Sequence, residues 1–452
     1  KPQITKTNKM KNLTNFRENL IKKEEPTSHA IEWDSKFVGF KSKNEKKGFF
    51  RYTYGAGESI RGALKPVVDM AEDSQAIYEF VQNAVDCNAT EFYMYYDEKR
   101  FLVLNNGKAF DEKDIKGVLN SGQGTKIDDP SKIGEYGIGF KLIHKLIGKA
   151  DGIDEMIDEN KGPIIYSWNN LDDFKTLINS KSSDDLKNTK HDTWLFKILL
   201  TCFPAGLNET IIDAKDKQVI AFNELDYEKM VLFLNEKRTE IELNNFTQGS
   251  MFFLEFGEGK HKIISEKSRD QLKYLEASLS KMKSLKKVII NSYKIQDAGI
   301  IKWLNFNLEN DSYIQNSEKK VLPNIKFGYT TRTNKPNYLK SLPTFYKYFA
   351  CSQEMNESGL IVDSNAFAIS PDRTRLDENE RNEIILKEGV GKLLERLNHL
   401  KEFDKELFLD IYSNIISSKK SNKNWQNNCF IDLIHQYASN NVPTTSGNFI
   451  ES

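Results

Sequence analysis

AIYEFVQNAVDCNA (Ala76–Ala89), LNNGKAF (Leu104–Phe110), SGQGTK (Ser121–Lys126) and IGEYGIGFK (Ile133–Lys141) follow one another in that order. Glu79, Asn83 and Asp86 are spaced four and three apart, so a helix presents them on one face. A carboxylate one turn from a carboxamide suits two tasks, positioning an attacking water and completing the oxygen shell of Mg²⁺. Gly134, Gly137 and Gly139 stand just before an apolar helical run of Phe140, Leu142, Ile143, Leu146 and Ile147. Backbone N–H groups at such a helix start wrap an anion, and the helix dipole adds to the attraction. Together these residues point to nucleotide-triphosphate chemistry.

Around this core the pattern is α+β. Alternation and aromatic content predict strands at Glu91–Tyr96 and Arg100–Leu104, joined by a turn at Asp97–Lys99. Phe110–Leu119 reads as a short helix with Asp111 as its N-cap, and Ser121–Ser131 as a polar, glycine-containing loop. Strand-like pieces (Pro163–Trp168, Trp194–Leu200) and a helical piece (Tyr227–Lys237) follow, then an apolar strand at Met251–Phe256 opened by Gly249–Ser250. Ser265–Leu285 reads as helix, and Lys287–Asn291 as the start of a second αβ block. That block has strands near Ile325–Thr331, Phe345–Ser352 and Leu360–Asp363. It ends in a long amphipathic helix, Glu378–Leu400.

The chain has 452 residues, enough for two or three cores, and its 38% hydrophobic and 29% charged residues are ordinary for a soluble globular protein. Formal net charge is zero, which argues against a general attraction to nucleic acid or membrane. Residues Lys1–Lys47 hold roughly twice as many basic as acidic side chains, a polar leading arm. Cys87, Cys202, Cys351 and Cys429 form no paired spacing, and six scattered histidines add no metal constellation. With no signal peptide and no apolar run long enough to span a bilayer, the expected location is the cytoplasm. Starting without Met and ending in the polar stretch Asn440–Ser452, the sequence reads as a trimmed chain or a fragment. The lysines at 281, 283, 286 and 287 read as a solvated face in preference to a nucleic-acid patch.

The ordered set E-x-x-x-N-A-x-D, N-x-G, G-x-x-G-x-G and then G-S before an apolar strand resembles the GHKL ATPase superfamily. The nearest branch by pattern is that of the ninety-kilodalton heat-shock chaperones, whose lid and phosphate loop SGQGTK and IGEYGIGF resemble. The resemblance implies a Bergerat ATPase sandwich, a mixed sheet covered on one face by helices. An αβ middle, transducer-like domain and a helical C-terminal segment would follow. The corresponding divisions are a basic arm at 1–50, an ATP-binding domain at 51–258 with an insertion at about 151–245, a middle domain at 259–400, and a helical segment with polar tail at 401–452.

By the same resemblance, Glu79 activates water and Asn83 holds Mg²⁺. Gly134, Gly137, Ile138, Gly139 and Phe140 offer amides to the phosphates, and Thr125 and Lys126 belong to the lid. Gly107 counts among the nucleotide-binding residues, and Ser250 keeps a hydroxyl for the base where the family has threonine. Asp86 shares the Glu79 face. Far downstream, GLIVDSNAFAISPDRTRL (Gly359–Leu376) resembles the middle-domain segment whose arginine reaches the γ-phosphate; spacing from Val362-Asp363-Ser364 selects Arg373. One departure stands out. Where the family has an aspartate that accepts from the adenine amine, this chain has Asn105. A neutral amide accepts more weakly, and a flipped amide donates, so discrimination against guanine should soften, with ATP still the expected nucleotide.

The implied activity is Mg²⁺-dependent ATP hydrolysis driving lid closure and domain rearrangement in a chaperone-like clamp, with a nucleotide-dependent homodimer and a protein client as partners. The alternatives are a MutL- or MORC-like nucleic-acid clamp and a non-hydrolysing nucleotide sensor. Retention of Glu79 speaks against the sensor.

Overall fold

In a computed structural model of the chain, the described residues are 31–32, 51–52, 75–111, 114, 146, 163–181, 194–202, 207–210, 224–282, 284–297, 299–308, 323–333, 345–351, 358–370, 374–417, 431–444, 446 and 448–450. They form an α+β protein of two compact units, Lys1–Ser268 with Lys283–Lys294, and Arg269–Met282 with Ile295–Ser452.

The strands of the first part of the chain are β1 (Ile31–Glu32), β2 (Arg51–Tyr52), β3 (Glu91–Tyr96), β4 (Arg100–Asn105), β5 (Ile164–Trp168), β6 (Trp194–Cys202), β7 (Leu207–Thr210), β8 (Gly249–Glu255), β9 (Lys287–Ile290) and β10 (Tyr293–Gln296). The helices are α1 (Gln75–Asp86), α2 (Leu171–Asn179), α3 (Glu224–Glu236) and α4 (His261–Leu279). β1 and β2 make a small antiparallel pair. The other eight lie in one sheet in the order β10-β9-β3-β4-β8-β5-β6-β7. β3 and β9 pair in parallel, while β3–β4, β4–β8, β8–β5, β5–β6 and β6–β7 are antiparallel.

Both faces of this sheet are covered, where the expectation had helices on one. The reason is legible in β4 and β8, whose residues Phe101–Leu104 and Met251–Leu254 are buried without alternation. On one face Phe80 of α1 meets Phe101 and Phe252, with ring centroids 5.4 and 5.7 Å apart. On the other, Leu102, Leu104, Tyr166, Trp168, Met251 and Phe253 form a cluster with residues of α2 and α3. Trp168 stacks on Phe174 at 4.3 Å and donates from Nε1 to the Phe246 carbonyl at 3.0 Å. Each such buried ring contributes about 1.5–3 kcal/mol. The stretch 151–245, set apart above as an insertion, thus supplies three strands of the sheet and the helices of its second face.

β9 also corrects an expectation. Lys287–Asn291 was read as opening the second block, but Lys287–Ile290 pairs in parallel with Glu91–Met94 in the first sheet. A short run of Val and Ile buried among neighbours suits a parallel strand.

The second unit is built on the five-stranded sheet β11-β12-β15-β13-β14, with β11 (Ile301–Asn307), β12 (Asn324–Thr330), β13 (Phe345–Lys347), β14 (Phe349–Ala350) and β15 (Ile361–Ser364). The strand expected at Phe345–Ser352 is broken at Tyr348, whose φ is +67°. α5 (Glu380–Phe403) buries Ile385, Val390, Leu393 and Leu397 in a cluster with Ile325, Phe327 and Val362, and Asn379 caps it by accepting from the Asn382 N–H at 2.9 Å. α6 (Lys405–Ile416), α7 (Asp432–Ser439) and the short pair β16 (Val442–Pro443) and β17 (Phe449–Ile450) complete the unit. Among the described residues no helix is long and apolar enough to cross a membrane.

Candidate functional site

α1 carries Glu79, Asn83 and Asp86, as their spacing predicts. Glu79 and Asp86 are buried and Asn83 is half-buried. The helix ends because Asn88 adopts a left-handed φ of +58°. Asn88 N–H then bonds the Val85 carbonyl, and Ala89 N–H the Ala84 carbonyl, a Schellman closure that aims the chain into β3.

The turn Asn105–Gly107 sits against this helix end. Lys108 N–H donates to the Cys87 carbonyl at 2.8 Å. A Cβ on Gly107 would lie 2.7 Å from the Cys87 Cβ and 2.9 Å from its carbonyl oxygen. Glycine at 107 is therefore what lets the turn and the acidic helix touch.

Asn106, which the sequence reading passed over, ties three segments together. Its Oδ1 accepts from the N–H groups of Thr90 and Glu91 at 2.8 and 2.9 Å. Its Nδ2 donates to Thr90 Oγ1 and to the Asn245 carbonyl. Asn245 in turn donates to Glu91 at 2.6 Å, and the other Glu91 oxygen accepts from the Tyr93 hydroxyl at 2.6 Å. Lys287 closes the network on Tyr93 and Glu242. Burial, joined by the bond to Glu91, pushes the Tyr93 phenol up to about 12. Of the lysines read as a solvated face, Lys286 is exposed and Lys283 lies outside the described residues, but Lys281 and Lys287 are buried in ion pairs.

At the ends of three adjacent strands a polar row interrupts the apolar face that α1 covers. Asn105 of β4 stands opposite Ser250 of β8, and Ser250 opposite Ser167 of β5. All three are buried. Asn105 Nδ2 donates to Ser250 Oγ at 3.1 Å, and Asn105 Oδ1 accepts from the Gly107 N–H at 3.0 Å. Ser167 accepts from the Phe110 N–H at 2.9 Å and donates to the Gly249 carbonyl at 3.0 Å. Ser167 was also missed, although a lone serine inside the run Ile164–Trp168 was the available signal. Beyond Phe110, Asp111 accepts from the Asp114 N–H at 3.1 Å while Asp114 accepts from the Asp111 N–H at 2.9 Å, a reciprocal cap at the expected position. Lys108 binds Asp111 at 2.7 Å, which holds its ammonium above the ordinary lysine range.

The structure thus brings Asn105, Gly107 and Ser250 together beside the helix of Glu79, Asn83 and Asp86. Thr125, Lys126, Gly134, Gly137, Ile138, Gly139, Phe140 and Arg373 lie outside the described residues. In the second unit, Ser370 and Arg375, on either side of Arg373 in sequence, bond each other: Ser370 N–H donates to the Arg375 carbonyl at 3.0 Å and Arg375 N–H to Ser370 Oγ at 3.2 Å. Leu376 is buried and Arg375 exposed.

One stretch of the first unit, which includes α1, matches a known family. Residues 57–148 match the family described as the Sacsin domain. That stretch holds α1, the Asn105–Gly107 turn and both glycine-bearing segments, and stops short of Ser250 and Arg373. The chain is also similar to Sacsin of Homo sapiens, 28% identical over 111 residues that cover 21% of this chain and 2% of that protein. It therefore corresponds to a small part of that relative's length.

Proposed function

We propose that the first unit is a Bergerat-type, GHKL-like ATPase site that binds ATP with Mg²⁺ and hydrolyses it, in a cytoplasmic protein working as a chaperone-like conformational clamp. The observation that carries this reading is the junction just described. A base-reading turn (Asn105–Gly107), a hydroxyl on the neighbouring strand (Ser250) and a helix bearing Glu79 and Asn83 are packed on one another with a glycine at the point of contact.

The residues fit the nucleotide chemically. Ser250 and Asn105 offer polar atoms at the buried ends of two central strands, the kind of group that orients a base. Among the described residues no group of three or more His, Cys, Asp or Glu side chains is placed to hold a metal. Asn83 and the nucleotide's own phosphates would then hold Mg²⁺, the usual division of labour for this cation. Bound Mg²⁺ would neutralise phosphate charge. Glu79 takes the proton of the attacking water, and its burial beside α1's apolar face keeps that carboxylate away from bulk solvent. Arg373 is the proposed γ-phosphate sensor, and the nucleotide state would bias dimer contacts and a protein client. A nucleic-acid clamp is less well supported, because Lys281 and Lys287 are committed to ion pairs.

The test is Mg²⁺-dependent hydrolysis of ATP, GTP and CTP by the wild type and by Glu79→Ala. We expect ATP turnover that falls on the order of 100-fold or more in Glu79→Ala, with nucleotide binding retained. Turnover at the wild-type rate in Glu79→Ala would remove this residue from the chemistry.

A further inference from the structure

We infer that Asn106, clamped by Asn245, Glu91 and Lys287, is the positioning residue that fixes the pose of the Asn105–Gly107 turn and with it the affinity of the site for nucleotide. The inference rests on the nucleotide reading above and deepens it.

β4 ends at Asn105, and the side chain of Asn106 takes over the ladder where the backbone leaves it. The Asn106 N–H reaches the Glu91 carbonyl at a long 3.3 Å. Its Oδ1 accepts from the N–H groups of Thr90 and Glu91 at 2.8 and 2.9 Å. Two N–H groups facing one atom fix that atom as oxygen, so Nδ2 points to Thr90 Oγ1 and to the Asn245 carbonyl, at 2.8 and 3.2 Å. The amide is thus fully used, and turning it would set donors against donors. β9 grips Thr90 as well, since the N–H groups of Lys286 and Lys287 donate to the Thr90 carbonyl at 2.9 and 3.2 Å.

Asn245 is exposed yet anchored. Its Nδ2 donates to Glu91 Oε1 at 2.6 Å, and the next residue, Phe246, is buried against Tyr93 with ring centroids 5.6 Å apart. Glu91 Oε2 accepts from the Tyr93 hydroxyl at 2.6 Å and lies 3.6 Å from the Lys287 ammonium. Glu91 is buried, so its charge depends on that cation. The segment of Asn245 runs on into Gly249–Ser250 at the start of β8. Glu91 thereby steadies two parts of the site, the turn through Asn106 and the start of β8 through Asn245. Glu79 is fixed by other means: α1 is seated by Phe80 on Phe101 and Phe252 and ends at Asn88. Loosening the clamp should therefore cost binding and spare the proton transfer.

Steady-state ATP hydrolysis with Mg²⁺ by the full chain tests this. Asn106→Asp keeps the acceptor for Thr90 and Glu91 but loses the bond to the Asn245 carbonyl; KM should rise about tenfold with kcat within about twofold of wild type. Asn245→Ala, at an exposed position where truncation ordinarily has little effect, should raise KM about fivefold in the same way. The double variant should match Asn106→Asp alone, because Asn245 reaches the turn through Asn106. Arg100→Met loosens the opposite end of the same hairpin by removing the bonds to Asp97 and Glu236, and should lower the denaturation midpoint with KM unchanged. Wild-type KM in Asn106→Asp or in Asn245→Ala overturns the inference, as does an equal rise of KM in Arg100→Met. A fall in kcat at wild-type KM, the mark of lost folded protein, overturns it too. A wild type that turns over no ATP overturns the nucleotide reading itself, and this inference with it.

Discussion

Gly107 shows how much one missing methyl group decides. The Cβ of an alanine there would press on Cys87 Cβ at 2.7 Å, on Asn105 Oδ1 at 2.9 Å and on the Cys87 carbonyl at 2.9 Å, and two of these three atoms belong to the fixed end of α1. Neither can swing away as a flexible side chain would. Gly107→Ala should therefore destabilise the first unit by about 1–3 kcal/mol, read as a lower denaturation midpoint at unchanged slope. The same variant should weaken ATP binding, because the turn that aims Asn105 must shift. A Gly107→Ala protein with wild-type stability would mean that the turn and helix are loosely joined.

Two elements of the second unit carry their own predictions. The residues that flank Arg373 in sequence are held to α5 by Asn382, whose Nδ2 donates to the carbonyls of Ala368 at 2.7 Å and Asp377 at 2.8 Å while its Oδ1 accepts from the Ala368 N–H at 2.9 Å. If Arg373 senses the γ-phosphate, Arg373→Ala should slow hydrolysis by roughly tenfold to a thousandfold. Asn382→Ala should slow it in the same direction, and the double variant should lose no more than Arg373→Ala alone. Fully multiplicative losses would separate the loop's anchor from the arginine's role. Next, β15 contributes Asp363, paired with Lys281; both side chains are 3% exposed. Lys281 also lies 4.3 Å from the centre of the Tyr346 ring, and Asp363 accepts from the Tyr348 N–H at 3.1 Å. Burial lowers Lys281 to about 8, against the pull of Asp363. The folded protein therefore sheds this proton near pH 8, while the unfolded chain holds it into the ordinary lysine range. Stability should rise with pH from about 8 upward, and Lys281→Met should abolish that rise. Denaturant unfolding at about pH 7 and about pH 9.5 checks both statements.

At the scale of the whole molecule the units are interleaved in sequence. The chain leaves the first unit within α4, contributes Arg269–Met282 to the second, and returns with β9 to the first sheet. β9 covers the open side of β3, and Lys287 pairs there with Glu91 and Glu242. A fragment ending at residue 258 would strip this strand and leave a buried glutamate without its cation. We expect that fragment to aggregate or unfold at lower denaturant than one ending at residue 297, as seen by size-exclusion chromatography and circular dichroism. Equal behaviour of the two would show that β9 is dispensable to the first sheet.

Local chemistry was enough to place much of this in advance. The spacing of Glu79, Asn83 and Asp86 could only share a helix face, Asp111 could be recognised as a cap, and alternation marked the hairpin of Glu91–Tyr96 with Arg100–Asn105. These follow from periods of 3.6 and 2 and from side chains bonding their own backbone, which are properties of neighbours in sequence. What required the tertiary structure depended on partners far along the chain. Ser167 gains meaning only when β5 lies beside β8, and Asn106 only when Thr90 and Asn245 come within reach. Lys281 and Lys287 look alike in sequence to surface lysines, and only long-range pairing with Asp363, Glu91 and Glu242 makes them buried cations. Asn105 could be read as a weaker acceptor from its residue type, but which way its amide points was decided by a backbone N–H two residues on and a hydroxyl 145 positions away, brought to opposite sides of it by the pairing of β4 with β8.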